Sequence, residues 1–318
     1  MKLVILDSQT VSKDGDVSLE PVTSLCDTTV YGAVSDDKVS KAIGDADCVI
    51  CNKCLITREV FETCHNLKYV GLFATGYNNV DLDAATDFGA VVANVPSYST
   101  DAVAQHTFAL ILDYFNKISD YSASTRSGDW INYKFFSYFY DPIYELSGKT
   151  IGIIGFGDIG QKVAQIAEAF GMNILTYTRT PDKAKGKAKS VSFEELMKES
   201  DIITLHCPLN DSTREIINKR SLALCKPTAM IVNTSRGGVI NENDLADALK
   251  AGSIAYASLD VLTYEPMREA CPFIGLKNIT ITPHIAWAPI ETRKRLIKSV
   301  ASNLKAFLEG NPINKVNN

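Results

Sequence analysis

No stretch of this 318-residue chain stays apolar long enough to span a bilayer as a helix. There is no basic surplus: 32 Lys and Arg stand against 37 Asp and Glu, a net charge of −5 that weighs against nucleic acid and anionic membranes as partners. Internal repeats and low-complexity tracts are missing. The opening MKLVILDS reads as a short strand rather than a signal peptide, so the cytoplasm is the expected location. Histidine is scarce, at four residues, which keeps any search for an imidazole acid short. Of the eight cysteines, Cys26, Cys64, Cys207, Cys225 and Cys271 are scattered, consistent with a reducing compartment. Cys48, Cys51 and Cys54 form a C-x-x-C-x-x-C run that superficially matches iron–sulfur ligation. The fourth ligand expected shortly afterwards is missing, position 58 being Arg, and Cys48–Cys51 also reads as a buried strand. No metal is expected.

What is present is ordinary globular material, 46% hydrophobic and 22% charged, in a length that suits two domains. Residues 148–172, GKTIGIIGFGDIGQKVAQIAEAFGM, carry G-x-G-x-x-G in the context that pattern needs. Gly155, Gly157 and Gly160 follow the apolar run Ile151–Ile154 and open a helix with Val163, Ala164, Ile166, Ala167 and Phe170 on one face. Gly155 permits the tight turn, Gly157 lets backbone approach a pyrophosphate, and Gly160 lets helix pack on strand. The N–H groups that open the helix face the phosphate charge. A dinucleotide site is expected there, and nearly half the chain precedes it.

Strand-like and helix-like segments alternate throughout, the pattern of an α/β protein with parallel sheets. Before the glycine motif, strands are predicted near 2–6, 28–32, 48–51, 68–73 and 90–93, with a helix over Asp81–Phe88 closed by Gly89. Residues 101–118 are apolar on nearly every face and predict a buried helix between the domains. After it, six strands are predicted, near 150–155, 173–178, 202–206, 229–233, 255–259 and 278–282. Ser192 with Glu195 predicts a capping box, and Asn241 caps a helix through Ala248 that Gly252 helps to end. Ile290–Leu308 is a long amphipathic helix, expected to pack outside the cofactor sheet and back on the first domain.

Ligands of such sheets sit beyond the carboxyl ends of the strands. Arg236 in NTSRGG, Asp260 and Glu265 in SLDVLTYEP, and His284 in TPHIAWA fall there. His65 in a polar loop and His106 on the apolar helix read as structural, and His206, ending a strand, reads as lining an adenosine. His284 is the best candidate acid. Hydride transfer to a 2-keto acid would need a cation for the carboxylate and carbonyl, an acid for the oxygen, and a carboxylate to orient that acid. Arg236, His284 and Glu265 suit these roles. Taken singly, each also reads as an arginine turn, a packed histidine and a surface glutamate.

Seven segments together carry a family resemblance: ATGYNNVDLDAA (74–85), NVPSYSTDAVAQHT (94–107), GKTIGIIGFGDIG, HCPLNDST (206–213), NTSRGG, LDVLTYEP and TPHIAWA. In this order they resemble the D-isomer-specific 2-hydroxyacid dehydrogenases, and ATGYNNVD and HIAWA resemble the glycerate dehydrogenase/hydroxypyruvate reductase branch. The resemblance implies two doubly wound parallel-sheet domains. A flavodoxin-like substrate domain (1–100 and 285–318) would flank an inserted Rossmann dinucleotide-binding domain (101–284), closing over it about a hinge. It implies Arg236, Glu265 and His284 as the catalytic triad and Asp260 as a contact to the nicotinamide carboxamide. Backbone N–H groups at Thr75, Gly76 and Tyr77 would hold the substrate carboxylate. Trp287 would either shape the substrate pocket or pack against the hinge. The cofactor would lie against Gly155, Gly157, Asp158, Ile159, Gly160, Thr178, Arg179, Thr180, His206, Pro208, Thr213, Thr234 and Asp260. A homodimer is implied. One departure is Gln105–His106, where many relatives carry Glu.

The expected reaction is NAD(P)H-dependent reduction of hydroxypyruvate or glyoxylate to the D-2-hydroxy acid. A different 2-keto acid such as that of D-lactate, or a corepressor-like dinucleotide sensor, are the alternatives. The second strand of the cofactor domain ends Tyr177-Thr178-Arg179-Thr180, without the carboxylate that NAD-preferring sites place there. An acid would repel a 2′-phosphate and an arginine flanked by hydroxyls can bind one, so NADP(H) is expected to be preferred, with NAD(H) possible.

Overall fold

Short apolar runs rich in Val and Ile, set off by polar turns, build twelve strands among the described residues, which are 1–184, 186 and 188–318 of a computed structural model. The chain divides into two units, Met1–Ser99 with Trp287–Asn318, and Thr100–Ala286.

The first unit begins with β1 (Lys2–Ile5), α1 (Glu20–Thr23), β2 (Asp27–Val30), α2 (Val39–Ile43), β3 (Cys48–Cys51), α3 (Arg58–Thr63), β4 (Tyr69–Leu72), α4 (Leu82–Asp87) and β5 (Val91–Ala93). Its five strands are parallel in the order β2-β1-β3-β4-β5, the flavodoxin-like winding. Every residue of β3 is buried, as a central parallel strand covered on both faces must be. Its alternation separates the thiols: Cys48 joins the core of Leu3, Ile5 and Tyr69, whereas Cys51 and Cys54 join that of Val4, Leu6 and Val70. Cys48 and Cys51 therefore face opposite sides of the sheet and cannot share one ion. Burial pushes the Cys48 and Cys54 thiols up to about 12, and ligation needs the thiolate.

Just past β1, the buried carboxylate of Asp7 accepts hydrogen bonds from the backbone N–H groups of Asn52 (2.9 Å), Lys53 (2.7 Å) and Cys54 (3.3 Å). Asn79 then donates to the Cys54 carbonyl at 2.9 Å. The loops after β1, β3 and β4 are thus tied together at one edge of the sheet.

The second unit runs α5 (Thr100–Asn116), α6 (Ile118–Ser127), β6 (Thr150–Ile154), α7 (Asp158–Ala169), β7 (Asn173–Tyr177), β8 (Ala188–Ser190), α8 (Phe193–Glu199), β9 (Ile202–Leu205), α9 (Lys219–Leu222), β10 (Met230–Asn233), α10 (Glu242–Lys250), β11 (Tyr256–Leu259) and β12 (Ile279–Ile281). The strands are parallel, in the order β12-β11-β10-β9-β6-β7-β8. This is the winding of a dinucleotide-binding sheet with one strand added. Seven strands stand where six were expected. The additional β8, AKS, is a short edge strand without a buried face, so it carries no hydrophobic pattern to read.

α5 is less uniformly apolar than expected. Ala104, Thr107, Phe108 and Ile111 are buried while Asp101 and Gln105 stay exposed, and the helix packs on α7 and β10. Ser192 accepts the Glu195 N–H at 3.1 Å, but the Glu195 carboxylate turns to Lys189 at 3.0 Å, leaving half of the expected capping box. Asn241 caps α10 by accepting the Asp244 N–H at 3.1 Å. An unforeseen reciprocal box joins Asn218 and Ser221 at the start of α9.

The chain then returns to the first unit as α11 (Ile290–Leu308). Leu296, Ile297, Val300 and Leu304 pack with Leu3, Ile5, Tyr69 and Phe73, on the first sheet rather than the second, as expected. Asn303, 1% exposed, donates to the Asn94 carbonyl at 2.8 Å and accepts from Asn314, so the helix is pinned to the loop after β5. No helix among the described residues is long and apolar enough to cross a membrane.

Candidate active site

The glycine turn lies between β6 and α7. Gly155 has φ +92°, and a Cβ there would stand 2.7 Å from the backbone of His206 and Cys207, so neither the conformation nor the space admits a side chain. A Cβ at Gly160 would meet the Gly155 carbonyl, which is the close strand–helix packing expected of it. At Gly157, the N-cap of α7, the same direction is open. The first amide groups of a helix beside open space form a natural seat for phosphate. Asp158 and Ile159 begin the helix, Ile159 leaning on the core.

Around this turn the other expected cofactor residues gather on loops at the carboxyl ends of neighbouring strands. Gly155 donates its N–H to the Tyr177 carbonyl at 2.9 Å, setting the end of β7 beside the turn. There Thr180 N–H donates to Thr178 Oγ1 at 3.2 Å, a hydroxyl turn that leaves the Arg179 side chain exposed. His206 N–H donates to the Ile154 carbonyl at 2.8 Å, next to β6. Thr213 donates to the Pro208 carbonyl at 2.6 Å and accepts the Asn210 N–H, which closes the 206–213 loop. Thr234 is buried and shares a 3.1 Å hydrogen bond with Thr107 of α5.

Further along the same sheet edge, three loops extend from β10, β11 and β12. Asn233, wholly buried at the end of β10, accepts from the Ser235 N–H and hydroxyl and donates to the Arg236 carbonyl, at 3.0, 2.9 and 2.9 Å. The arginine turn is therefore bound to its strand by one side chain. Arg236 itself is exposed and donates Nη1 to the Ser235 carbonyl at 2.7 Å. A Cβ on Gly237 would overlap the Leu262–Thr263 backbone, so the RGG turn is pressed against the loop that carries Glu265. Glu265 accepts the Leu262 N–H through Oε1 at 3.0 Å and faces His284 Nδ1 through Oε2 at 2.7 Å. That contact places the Nδ1 proton toward the carboxylate and leaves Nε2 as the nitrogen for chemistry.

His284 has φ +56°, an uncommon backbone for a side chain with a Cβ. Its N–H is held by the carbonyls of Asp260 (2.8 Å) and Thr282 (3.0 Å). The Asp260 carboxylate, 1% exposed, accepts the Ile285 and Ala286 N–H groups at 2.9 Å each. Burial pushes this carboxyl up, but hydrogen bonds from His106, Thr282, Ala286 and Ile285 outweigh burial and hold it below its ordinary range.

The structure thus brings Glu265 and His284 into contact and presses the Arg236 turn on the Glu265 loop. Thr75, Gly76 and Tyr77 belong to the first unit, where Thr75 Oγ1 donates to the Val95 carbonyl at 2.7 Å and Tyr77 is exposed. Trp287 is partly buried against the core beneath α11. Sequence reasoning overlooked Asn233 and Thr282. The N-x-S spacing at Asn233 is an Asx-turn signal that could have revealed the first. Thr282 has no such signal, because its partners lie on other elements.

A family model described as "D-isomer specific 2-hydroxyacid dehydrogenase, NAD binding domain" matches residues 108–286. A hydroxypyruvate reductase of Blautia hydrogenotrophica is 42% identical over 100% of both chains. A glyoxylate reductase of Thermococcus litoralis is 43% identical over 82% of this chain and 80% of its own. Among solved structures, an acyclic imino acid reductase in complex with NADPH and D-Arg superposes with a TM-score of 0.86 at 34% identity, covering 99% of this chain and 100% of that one.

The buried edge of the site makes stability depend on pH. His206 Nε2 pairs with Thr204 Oγ1 at 2.9 Å, while Nδ1 is buried with no partner among the described residues, and burial pushes the imidazole down to about 3. The unfolded chain then binds a proton that the folded one refuses, so this residue's contribution is complete above pH 6.5 and is lost as pH falls toward 3. Urea unfolding of the wild type and His206→Gln across that window should show the wild type losing more stability on acidification. Parallel curves would contradict this.

Proposed function

As the chain belongs to the D-isomer specific 2-hydroxyacid dehydrogenase family, we propose that it reduces a short 2-keto acid, hydroxypyruvate to the D-2-hydroxy acid or glyoxylate to the achiral glycolate. The observation that carries this is the 2.7 Å His284–Glu265 pair beside the arginine turn, on the sheet edge that holds the glycine turn. A 42% identical relative named hydroxypyruvate reductase supports the substrate class.

Each residue has a physical part. A nicotinamide dinucleotide bound at the glycine turn supplies the hydride. Gly155, Gly157, Asp158, Ile159 and Gly160 would hold its pyrophosphate, and the loops of His206, Pro208, Thr213 and Thr234 would flank it. Arg236 would pair with the substrate carboxylate and polarise the carbonyl, aided by backbone N–H groups at Thr75, Gly76 and Tyr77. His284 Nε2 would give its proton to the carbonyl oxygen as it becomes an alkoxide. Glu265 orients the ring through Nδ1. The unit Met1–Ser99 with Trp287–Asn318 would then be the substrate domain and Thr100–Ala286 the cofactor domain. Asp260 Oδ2 accepts one backbone N–H, which leaves it acceptor capacity for a donor such as the carboxamide.

NADP(H) is the proposed preference. The Thr178–Thr180 turn offers two hydroxyls and the exposed Arg179, and no carboxylate to repel a 2′-phosphate. Turnover of a panel of 2-keto acids with NADPH and NADH should give the highest kcat/KM for hydroxypyruvate or glyoxylate with NADPH, hydroxypyruvate yielding the D-product. No turnover of any member would overturn the function, and a preference for NADH would overturn the cofactor assignment alone.

A homodimer is also proposed. The segment after α6 exposes Ile131 (80%), Phe135 (62%), Phe136 (90%) and Phe139 (77%), a run of large apolar side chains close together in sequence, the kind of surface that marks an interface. A second copy of this segment would cover it. Phe136→Glu with Phe139→Glu should convert a dimer to a monomer in sedimentation, and an unchanged sedimenting mass would contradict the assignment.

A further inference from the structure

A partly buried polar chain leads from α5 to the backbone of His284, wholly within the second unit. His106 Nε2 lies 3.1 Å from Thr282 Oγ1 and 3.4 Å from Asp260 Oδ1. Thr282 donates its hydroxyl to Asp260 Oδ1 at 2.6 Å. With its proton so committed, the Thr282 oxygen can only accept, so the proton between the two side chains sits on His106 Nε2. The same Asp260 Oδ1 accepts the Ile285 N–H, Oδ2 accepts the Ala286 N–H, and the Asp260 carbonyl accepts the His284 N–H. His284 is left-handed and flanked by these bonds on both sides, so the ring direction depends on where the Asp260 carboxylate stands.

We propose that His106 is a positioning residue for the proton donor: with Thr282 it fixes Asp260, and Asp260 fixes the 284–286 backbone that aims His284 at Glu265 and the substrate. This rests on the reading that His284 donates the proton. His106 belongs to the Gln105–His106 pair whose role the sequence left open, and its Nε2 is the group on α5 that reaches the 260–286 loops. The bonds converge on Asp260 from both sides: His106 and Thr282 reach its carboxylate from one side, and the Ile285 and Ala286 N–H groups donate to it from the other, so a loss at α5 is felt as misalignment rather than as a missing contact to substrate. Misplacement of a reacting group on the order of 1 Å can cost about 10- to 100-fold in rate without touching the chemistry itself.

The test uses the full-length protein with hydroxypyruvate and NADPH. His106→Leu and Thr282→Val should each lower kcat about 10-fold or more while NADPH affinity, read by nucleotide fluorescence, is retained. The double variant should be no worse than the poorer single, because both act through one carboxylate and their effects are not additive. His106→Gln, which keeps an N–H near the Nε2 position, should recover most of the rate. Should His106→Leu fail to fold, His106→Asn, polar but too short to reach Thr282, replaces it. Near-normal kcat in these variants, or additive losses that track melting temperature and are not rescued by Gln, would overturn the proposal. His284→Gln separates the two readings. If it abolishes turnover while the His106 variants retain it, the positioning role alone fails. If His284→Gln itself turns over normally, the donor assignment fails.

Discussion

The carboxylate of Asp260 is the constraint on which the second unit's working edge depends. It is 1% exposed, sits just beyond β11, and is surrounded by donors rather than by a full counter-ion cage. Burying a charge is costly unless hydrogen bonds replace its hydration, and here two backbone amides, a hydroxyl and an imidazole do so. In exchange, the loop after the outermost strand acquires a fixed shape. β12 is the short edge strand of its sheet, and its three residues are partly exposed, so the strand alone gives little rigidity to the loop that carries His284. The left-handed backbone at His284 persists because Asp260 holds the residue from its carbonyl and the next two amides from its carboxylate.

The same economy recurs at each strand end. Asn233 binds the arginine turn to β10, Asp7 binds the loop after β3 to β1, and Thr213 closes the loop after β9. Parallel sheets leave their carboxyl-end loops without ladder partners, and in these loops one polar side chain, buried at Asn233 and Asp7, supplies missing hydrogen bonds. The glycine turn solves the problem differently. There the close approach of Gly155 to the His206 backbone replaces a side-chain staple with contact that only a bare α-carbon allows.

Much of this was legible in the sequence, because the signals are local. The glycines with their flanking strand and helix, the parallel α/β alternation and the return of the last helix to the first sheet were read from short windows. Arg236, Glu265 and His284 stand out as candidates from their position at strand ends and from the scarcity of histidine, and the structure brings Glu265 and His284 into contact. β8 escaped because an edge strand of three partly exposed residues has no apolar alternation. The C-x-x-C-x-x-C run misled only superficially, since strand alternation at β3 sends Cys48 and Cys51 to opposite faces. The Asp260 network was not legible at all. His106 and Thr282 are 176 residues apart, and only the packing of α5 against the sheet brings them together.

The central claim is that the imidazole held by Glu265 and the Asp260 loop is the acid of the reaction. His284→Gln tests it most directly, assayed for hydroxypyruvate reduction and, on the same preparation, for NADPH binding by fluorescence. Turnover should fall by about 100-fold or more with dinucleotide affinity retained, because the ring acts on substrate and not on cofactor. Near-normal kcat with intact NADPH binding would contradict the account.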